Sequence, residues 1–237
     1  MQIVFTPGFM QPASAWEAVA GQLGERYSSV MVDHHEHSFE GRVGELREAA
    51  GGAVLCGYSL GGRLALHAAL RDPGAYAGLV LVGTSAGIDE PVARAERART
   101  DEKLASWMET QPIESIVDIW ERQPLFADQS DSLVEAQKPG RLAQDPRSLA
   151  LILRTAGQGV LEPVWGRLSG LDVPVLAMAG DRDQRYSDAA RRIAREVPDG
   201  RAEIIEHAGH APQLQQPEAV ARVLADFLDQ HFGQRVV

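Results

Sequence analysis

The chain has a single cysteine in 237 residues, Cys56, so it holds no internal disulfide and no cysteine-rich metal site. That cysteine sits in an apolar run, as an inert buried thiol does. Basic residues are outnumbered: 23 Lys and Arg against 33 Asp and Glu leave a formal charge of −10. Nucleic acid and anionic membranes need a basic face, and both are poor partners for such a surface. A small anionic substrate stays open, because a few local arginines can outweigh the overall sign. No apolar run approaches the roughly 20 residues that span a bilayer. The opening stretch "MQIVFTPGFM" lacks a basic segment followed by a long apolar one. The expectation is a soluble, cytoplasmic protein without a signal peptide, monomeric or weakly self-associating. Internal repeats and low-complexity tracts are also missing.

What is present is ordinary globular composition, 44% hydrophobic and 24% charged, at a length that suits one α/β domain with an insertion. Short apolar runs recur at 2–5, 28–33, 53–56, 78–83, 174–180 and 202–207. They are nearly continuous rather than alternating, which predicts strands of a parallel sheet covered on both faces. Helical spacing fills the intervals, as in 63–70 and 217–232. Strand–helix alternation of this kind predicts a doubly wound α/β fold. The rhythm breaks between 88 and 168, where no strand-like run occurs and prolines 112, 124, 139, 146 and 163 punctuate about four helices. This stretch reads as a helical lid inserted into a core made of 1–87 and 169–237.

Residues 57–61, "GYSLG", fit the G-x-S-x-G nucleophile elbow in its required setting of strand, sharp turn and helix. Glycines flank Ser59 because the turn is strained and brings strand and helix close together. The partners then follow in the order this chemistry needs, each after a separate strand: "AGDRD" (179–183) and "EHAGHAP" (206–212). Asp181 and Asp183 compete for the acid. Asp183, further into the loop, reaches a histidine more easily, while Asp181 is placed to cap the turn. His210 is preferred over His207, which directly follows the strand and reads as a loop histidine. The N–H of Leu60 can stabilise an oxyanion, and Gly8 lets the N–H of Phe9 approach as the second donor. Pro7 has no N–H to offer. The cluster "DHHEH" (33–37) reads as a solvated loop, since ligands packed at adjacent positions rarely converge on one ion. No metal or organic cofactor is expected.

With these residues in place, the chain resembles the α/β-hydrolase superfamily over nearly its whole length. More narrowly, it resembles the menaquinone-pathway synthases that form 2-succinyl-6-hydroxy-2,4-cyclohexadiene-1-carboxylate (SHCHC). The stretches that narrow it are "GYSLGGRLAL", "ARAERARTDEKLA", "WERQPLFA", "RTAGQGVLEPVWGRL" and "GDRDQRY…HAGHAPQLQQPE". The resemblance implies a lyase that removes pyruvate from a polycarboxylate, with Ser59, His210 and Asp183 acting on a proton. It implies carboxylate-binding roles for Arg63, near the mouth of the site, and for Arg97 and Arg141 in the lid. Tyr58 and Trp120 match further site positions. Two features depart from the family: Pro7 stands where a histidine is usual, and "DHHEHS" replaces a proline- and glycine-rich loop. The hairpin that opens many of these folds is expected to be absent. A carboxylic ester or thioester hydrolase using Ser59 as acyl nucleophile is the alternative activity, and a ligand-binding receptor the alternative without catalysis.

Overall fold

The apolar runs become six strands: β1 (Gln2–Thr6), β2 (Ser28–Met31), β3 (Val54–Tyr58), β4 (Gly78–Val82), β5 (Val175–Gly180) and β6 (Gly200–Ile205). They are seen in a computed structural model that describes residues 1–233. All five pairings are parallel, in the order β2-β1-β3-β4-β5-β6. Within each central strand the side chains alternate between two cores. Val4, Leu55, Leu79, Leu81 and Ala177 face one cluster; Ile3, Phe5, Cys56, Val80 and Met178 face the other. Two buried faces leave no polar positions, which explains why the runs read as continuously apolar. The edge strands depart from that pattern. β2 is half exposed and two residues shorter than its apolar run, and β6 begins at Gly200 and ends before Glu206.

Five helices pack on these faces. On the first lie α2 (Phe39–Ala49), α3 (Leu60–Arg71) and α8 (Gln184–Glu196); on the second lie α1 (Glu17–Ala20) and α10 (Pro217–Phe232). A single turn, α9 (Pro212–Gln215), precedes α10. No described helix is long and apolar enough to cross a membrane.

Between β4 and β5 the chain forms four further helices, α4 (Pro91–Met108), α5 (Ile113–Glu121), α6 (Asp131–Leu142) and α7 (Pro146–Ala156). Their starts are written locally: the side chains of Glu90, Ser130 and Asp145 each accept backbone N–H groups of the first turn. Pro139 does not end a helix as its position suggests. It lies inside α6, where one backbone donor is lost while its own carbonyl still accepts the N–H of Ala143 at 3.1 Å. Of these, α4, α5 and α7 share a third core, Met108, Ile116, Val117, Leu149 and Leu153, which also contains Met10 and receives Phe9 from the loop after β1.

The strand order reverses between β1 and β3, since the chain leaves β1 for β2 on one side and returns to β3 on the other. Crevices outside the carboxyl ends of parallel strands form at such a switch point. Here the crevice lies between the loop Pro7–Phe9 and the turn at Ser59. The turn is tight: Ser59 has φ 50 and ψ −105, and a Cβ on Gly61 would collide with the carbonyls of Thr6 and Pro7. Backbone carbonyls at the end of a central strand cannot retreat. Gly61→Ala should therefore cost about 1–3 kcal/mol of stability through overpacking. A thermal melt tests this, and an unchanged midpoint would show that α3 can shift away from β1.

Candidate active site

Three loops converge on the crevice. The turn at Ser59 is held at both ends of its peptide unit: its N–H donates to the Val82 carbonyl at 2.8 Å, and its carbonyl accepts from Thr84 Oγ1 at 2.8 Å. Those bonds sustain a backbone conformation that ordinarily costs a non-glycine residue about 1–3 kcal/mol. Leu60 is the first residue of α3, so its N–H has no intrahelical acceptor. Neither that N–H nor the N–H of Phe9 meets a protein acceptor among the described residues. Gly8 is required beside them, because a Cβ there would stand 2.6 Å from the Tyr58 ring.

His210 comes from the loop after β6. Its Nδ1 lies 2.8 Å from Asp183 Oδ2 and its Nε2 lies 3.3 Å from Ser59 Oγ. The other carboxylate oxygen of Asp183 accepts the Tyr186 N–H at 3.3 Å and so caps α8. Asp181 is turned elsewhere, its Oδ1 accepting the N–H of Ala208 at 3.1 Å and fixing the loop that carries His210. His207 is exposed, at φ 60 in the turn that ends β6. The imidazole of His210 is enclosed by rings, with the centroid of Tyr186 at 4.5 Å, Tyr58 at 5.3 Å and Phe126 at 6.3 Å. Burial pushes the Tyr58 phenol well above its ordinary range, so it stays protonated.

The Ser59–His210–Asp183 chain opens on a cavity of about 450 Å³ between the sheet and the inserted helices. Arg63, Arg97, Trp120 and Arg141 all line it. Arg63 does not stand at the mouth, where a position one turn beyond Ser59 suggested it. It is 7% exposed, because α3 runs inward beneath the inserted helices, and burial pushes its guanidinium down to about 10. Arg97 Nε donates to Asp101 at 2.7 Å. Arg141 is buried, with Nη1 on Glu121 at 2.9 Å and Nη2 on Gln137 at 2.8 Å. Trp120 packs edge-on against Phe9 at 5.1 Å. Such a site can take a proton by general base action and hold a developing oxyanion beside bound carboxylates.

Sequence reasoning missed Gln158, Arg185 and Tyr186, which also line the cavity. "DQRY" was legible only as the opening of a helix, and nothing in its pattern marks a ligand-facing face. It also misjudged the loop after β2. The His34 side chain is 2% exposed, with Nε2 at 2.8 Å from Thr6 Oγ1 and Nδ1 at 2.7 Å from Glu45 Oε2. The relevant partners lie 28 residues upstream and 11 downstream, beyond any local signal. Among the described residues, no group of three or more His, Cys, Asp or Glu is gathered for a metal ion.

Burial pushes His34 down to about 4, and it does the same to His67, which lies against Phe39 in the core. Arg42 reinforces the shift at His34, and Arg71 and Arg63 reinforce it at His67. Between pH ~6.5 and ~4 the unfolded chain binds protons that these folded sites refuse. The two histidines therefore contribute fully above pH ~6.5, and their contribution is lost as pH falls toward 4, on the order of 3 kcal/mol each. Urea unfolding at pH 7 and pH 5 should show this loss, and His67→Leu should reduce it markedly. An equal loss in parent and variant would remove His67 from the account.

Known proteins fall into line with this geometry. The profile of the alpha/beta hydrolase family matches residues 3–223. The 2-succinyl-6-hydroxy-2,4-cyclohexadiene-1-carboxylate synthase of Escherichia coli O1:K1 / APEC is 28% identical over 242 residues, covering 95% of this chain and 93% of its own. A relative from Bacillus subtilis (strain 168) is 33% identical over 177 residues, 73% of this chain but 65% of its own length. Among solved structures, MenH from S. aureus superposes with a TM-score of 0.90 at 26% identity, over 98% of this chain and 94% of that one. An esterase from Thermogutta terrifontis, at 22% identity and a TM-score of 0.76 over 98% of this chain and 90% of its own, shares the fold.

Proposed function

The chain belongs to the alpha/beta hydrolase family, and from that premise we propose that it is a carbon–oxygen lyase of menaquinone biosynthesis. Its substrate is 2-succinyl-5-enolpyruvyl-6-hydroxy-3-cyclohexene-1-carboxylate, and its products are SHCHC and pyruvate. One observation carries this reading: the Ser59–His210–Asp183 chain faces a cavity lined by four arginines, Arg63, Arg97, Arg141 and Arg185, and the substrate is a tricarboxylate. A neutral ester would need none of these guanidinium groups. The synthase name of the Escherichia coli relative and the match to MenH support the same assignment.

The ring double bond at C3, the succinyl ketone on C2 and the ether oxygen on C5 define the elimination. Ser59 passes its proton to His210 Nε2, and its oxygen takes the C2 proton, which the ketone acidifies. The electron pair forms the C2–C3 double bond, the old double bond moves to C4–C5, and the C5–O bond breaks. Pyruvate leaves as its enolate and takes back the proton that His210 holds, which restores the starting enzyme. Asp183 stabilises the imidazolium between these events. Negative charge gathers on the ketone oxygen, for which the N–H groups of Leu60 and Phe9 serve as the oxyanion hole. The helices α4–α7 act as the lid, bringing Arg97, Trp120 and Arg141 over the substrate and keeping water from it.

Pyruvate release from substrate generated in situ should exceed the spontaneous rate. It should fall roughly 10²–10⁴-fold in Ser59→Ala and in His210→Ala. Activated short-chain esters, offered to the same sample, should turn over negligibly. Background-level elimination together with Ser59-dependent ester cleavage would replace the lyase with a hydrolase. The arginines are separable: Arg141→Ala should raise KM by about tenfold or more through loss of a charged hydrogen bond. A KM equal to that of the parent would remove Arg141 from substrate binding.

A further inference from the structure

Two residues that line the cavity with His210 hold a hydrogen-bond donor without an acceptor and have no carboxylate partner among the described residues. The first is Arg63. Its Nη2 donates to the Ala156 carbonyl at 3.3 Å, its Nε has no partner, and no carboxylate is paired with it. Arg97 and Arg141, by contrast, each have a carboxylate partner, Asp101 and Glu121, although Arg141 Nε is also buried without an acceptor. A buried guanidinium with unfilled donors is a place where an anion belongs.

The second donor is the hydroxyl of Tyr186. Arg185 Nη2 donates to Gln158 Oε1 at 3.3 Å, which turns the amide so that its Nε2 donates to Tyr186 Oη at 2.6 Å. The phenol oxygen is thereby used as an acceptor, and its own proton has no acceptor among the described residues. The proton relay makes no use of this hydroxyl, since Ser59 and Asp183 occupy both nitrogens of His210. The ring itself is held, packed on the imidazole at 4.5 Å with the Arg185 guanidinium 5.6 Å from its centroid. A hydroxyl that accepts from an amide, which in turn accepts from a cation, is polarised into a stronger donor. Arg63 and Tyr186 line the same cavity, so the two donors open on one space.

We propose that the Tyr186 hydroxyl is a specificity-determining donor that shares with Arg63 the terminal carboxylate of the substrate's succinyl arm, aimed by Gln158 and Arg185. The choice of arm rests on the lyase reading; the donor role of Tyr186 does not. With the succinyl ketone beside Ser59, Arg63 lies one helical turn of about 5.4 Å further along, a distance that two methylenes and a carboxylate bridge. Gln158 and Arg185 are positioning residues in this arrangement.

The test is calorimetric titration of 4-oxo-4-phenylbutanoate, which holds a ketone and a carboxylate in that relation, and of its neutral carboxamide. Tyr186→Phe keeps the ring on His210 and removes only the hydroxyl. It should weaken the acid about tenfold to a hundredfold, the range for a hydrogen bond to a charged group, and the carboxamide less than threefold. Gln158→Glu gives the phenol proton a carboxylate of its own and should weaken the acid at least as much. Acid binding within twofold of the parent in Tyr186→Phe would overturn the proposal. So would equal losses of acid and carboxamide, or no binding of the acid by the parent protein. These titrations need no turnover, so failure of the lyase reading appears in the pyruvate assay and failure of this one appears here.

Discussion

Everything at the site depends on the close contact between the start of α3 and the end of β1. Gly61 lies so near the Thr6 and Pro7 carbonyls that no side chain fits between them. That contact lets β3 turn into α3 within one residue and forces Ser59 to φ 50. It also brings the start of α3 up against the loop that carries the Phe9 N–H. A looser join would relax the backbone and separate the two donors. The strain at Ser59 is thus the local cost of gathering a nucleophilic oxygen and two free N–H groups from different strands.

Electrostatics runs against the overall charge. A chain carrying −10 concentrates four guanidinium groups at one crevice, and two of them, Arg97 and Arg141, arrive with an internal counter-ion. Asp101 and Glu121 limit the desolvation cost of Arg97 and Arg141 before any substrate is present. Arg63 lacks such help, and its lowered affinity for a proton is the trace of that burial. The paired arginines meet a substrate with part of their charge already offset, whereas Arg63, buried with no carboxylate partner among the described residues, leaves the sharper demand for negative charge.

Much of this was legible from residues alone because the signals were local or periodic. Continuous apolar runs identified the central strands, since both faces of the sheet are covered. The same rule overextended β2, an edge strand whose half-exposed face no neighbour protects. The serine, aspartate and histidine were legible because the elbow has a fixed grammar and each partner follows a strand. Asp183 is preferred to Asp181 for its place further into the same short loop, and the geometry agrees, with His210 on Asp183 and the Ala208 N–H on Asp181. Tyr186 and Gln158 were invisible for a different reason: they meet across 28 residues and neither belongs to a spacing that chemistry imposes. His34 likewise reads as solvated until Thr6 and Glu45 are seen to close around it.

The third hydrophobic core has a further consequence. Met10 and Phe9 belong to the loop after β1, yet Met10 packs among side chains of α4, α5 and α7, and Phe9 touches both that core and the one on the sheet. The inserted helices and the loop that presents the Phe9 N–H are one cooperative unit, folding and loosening together. Floor and roof of the crevice are in this way riveted to each other at Phe9 and Met10, so a packing change in the insertion is transmitted to the loop that carries the Phe9 N–H.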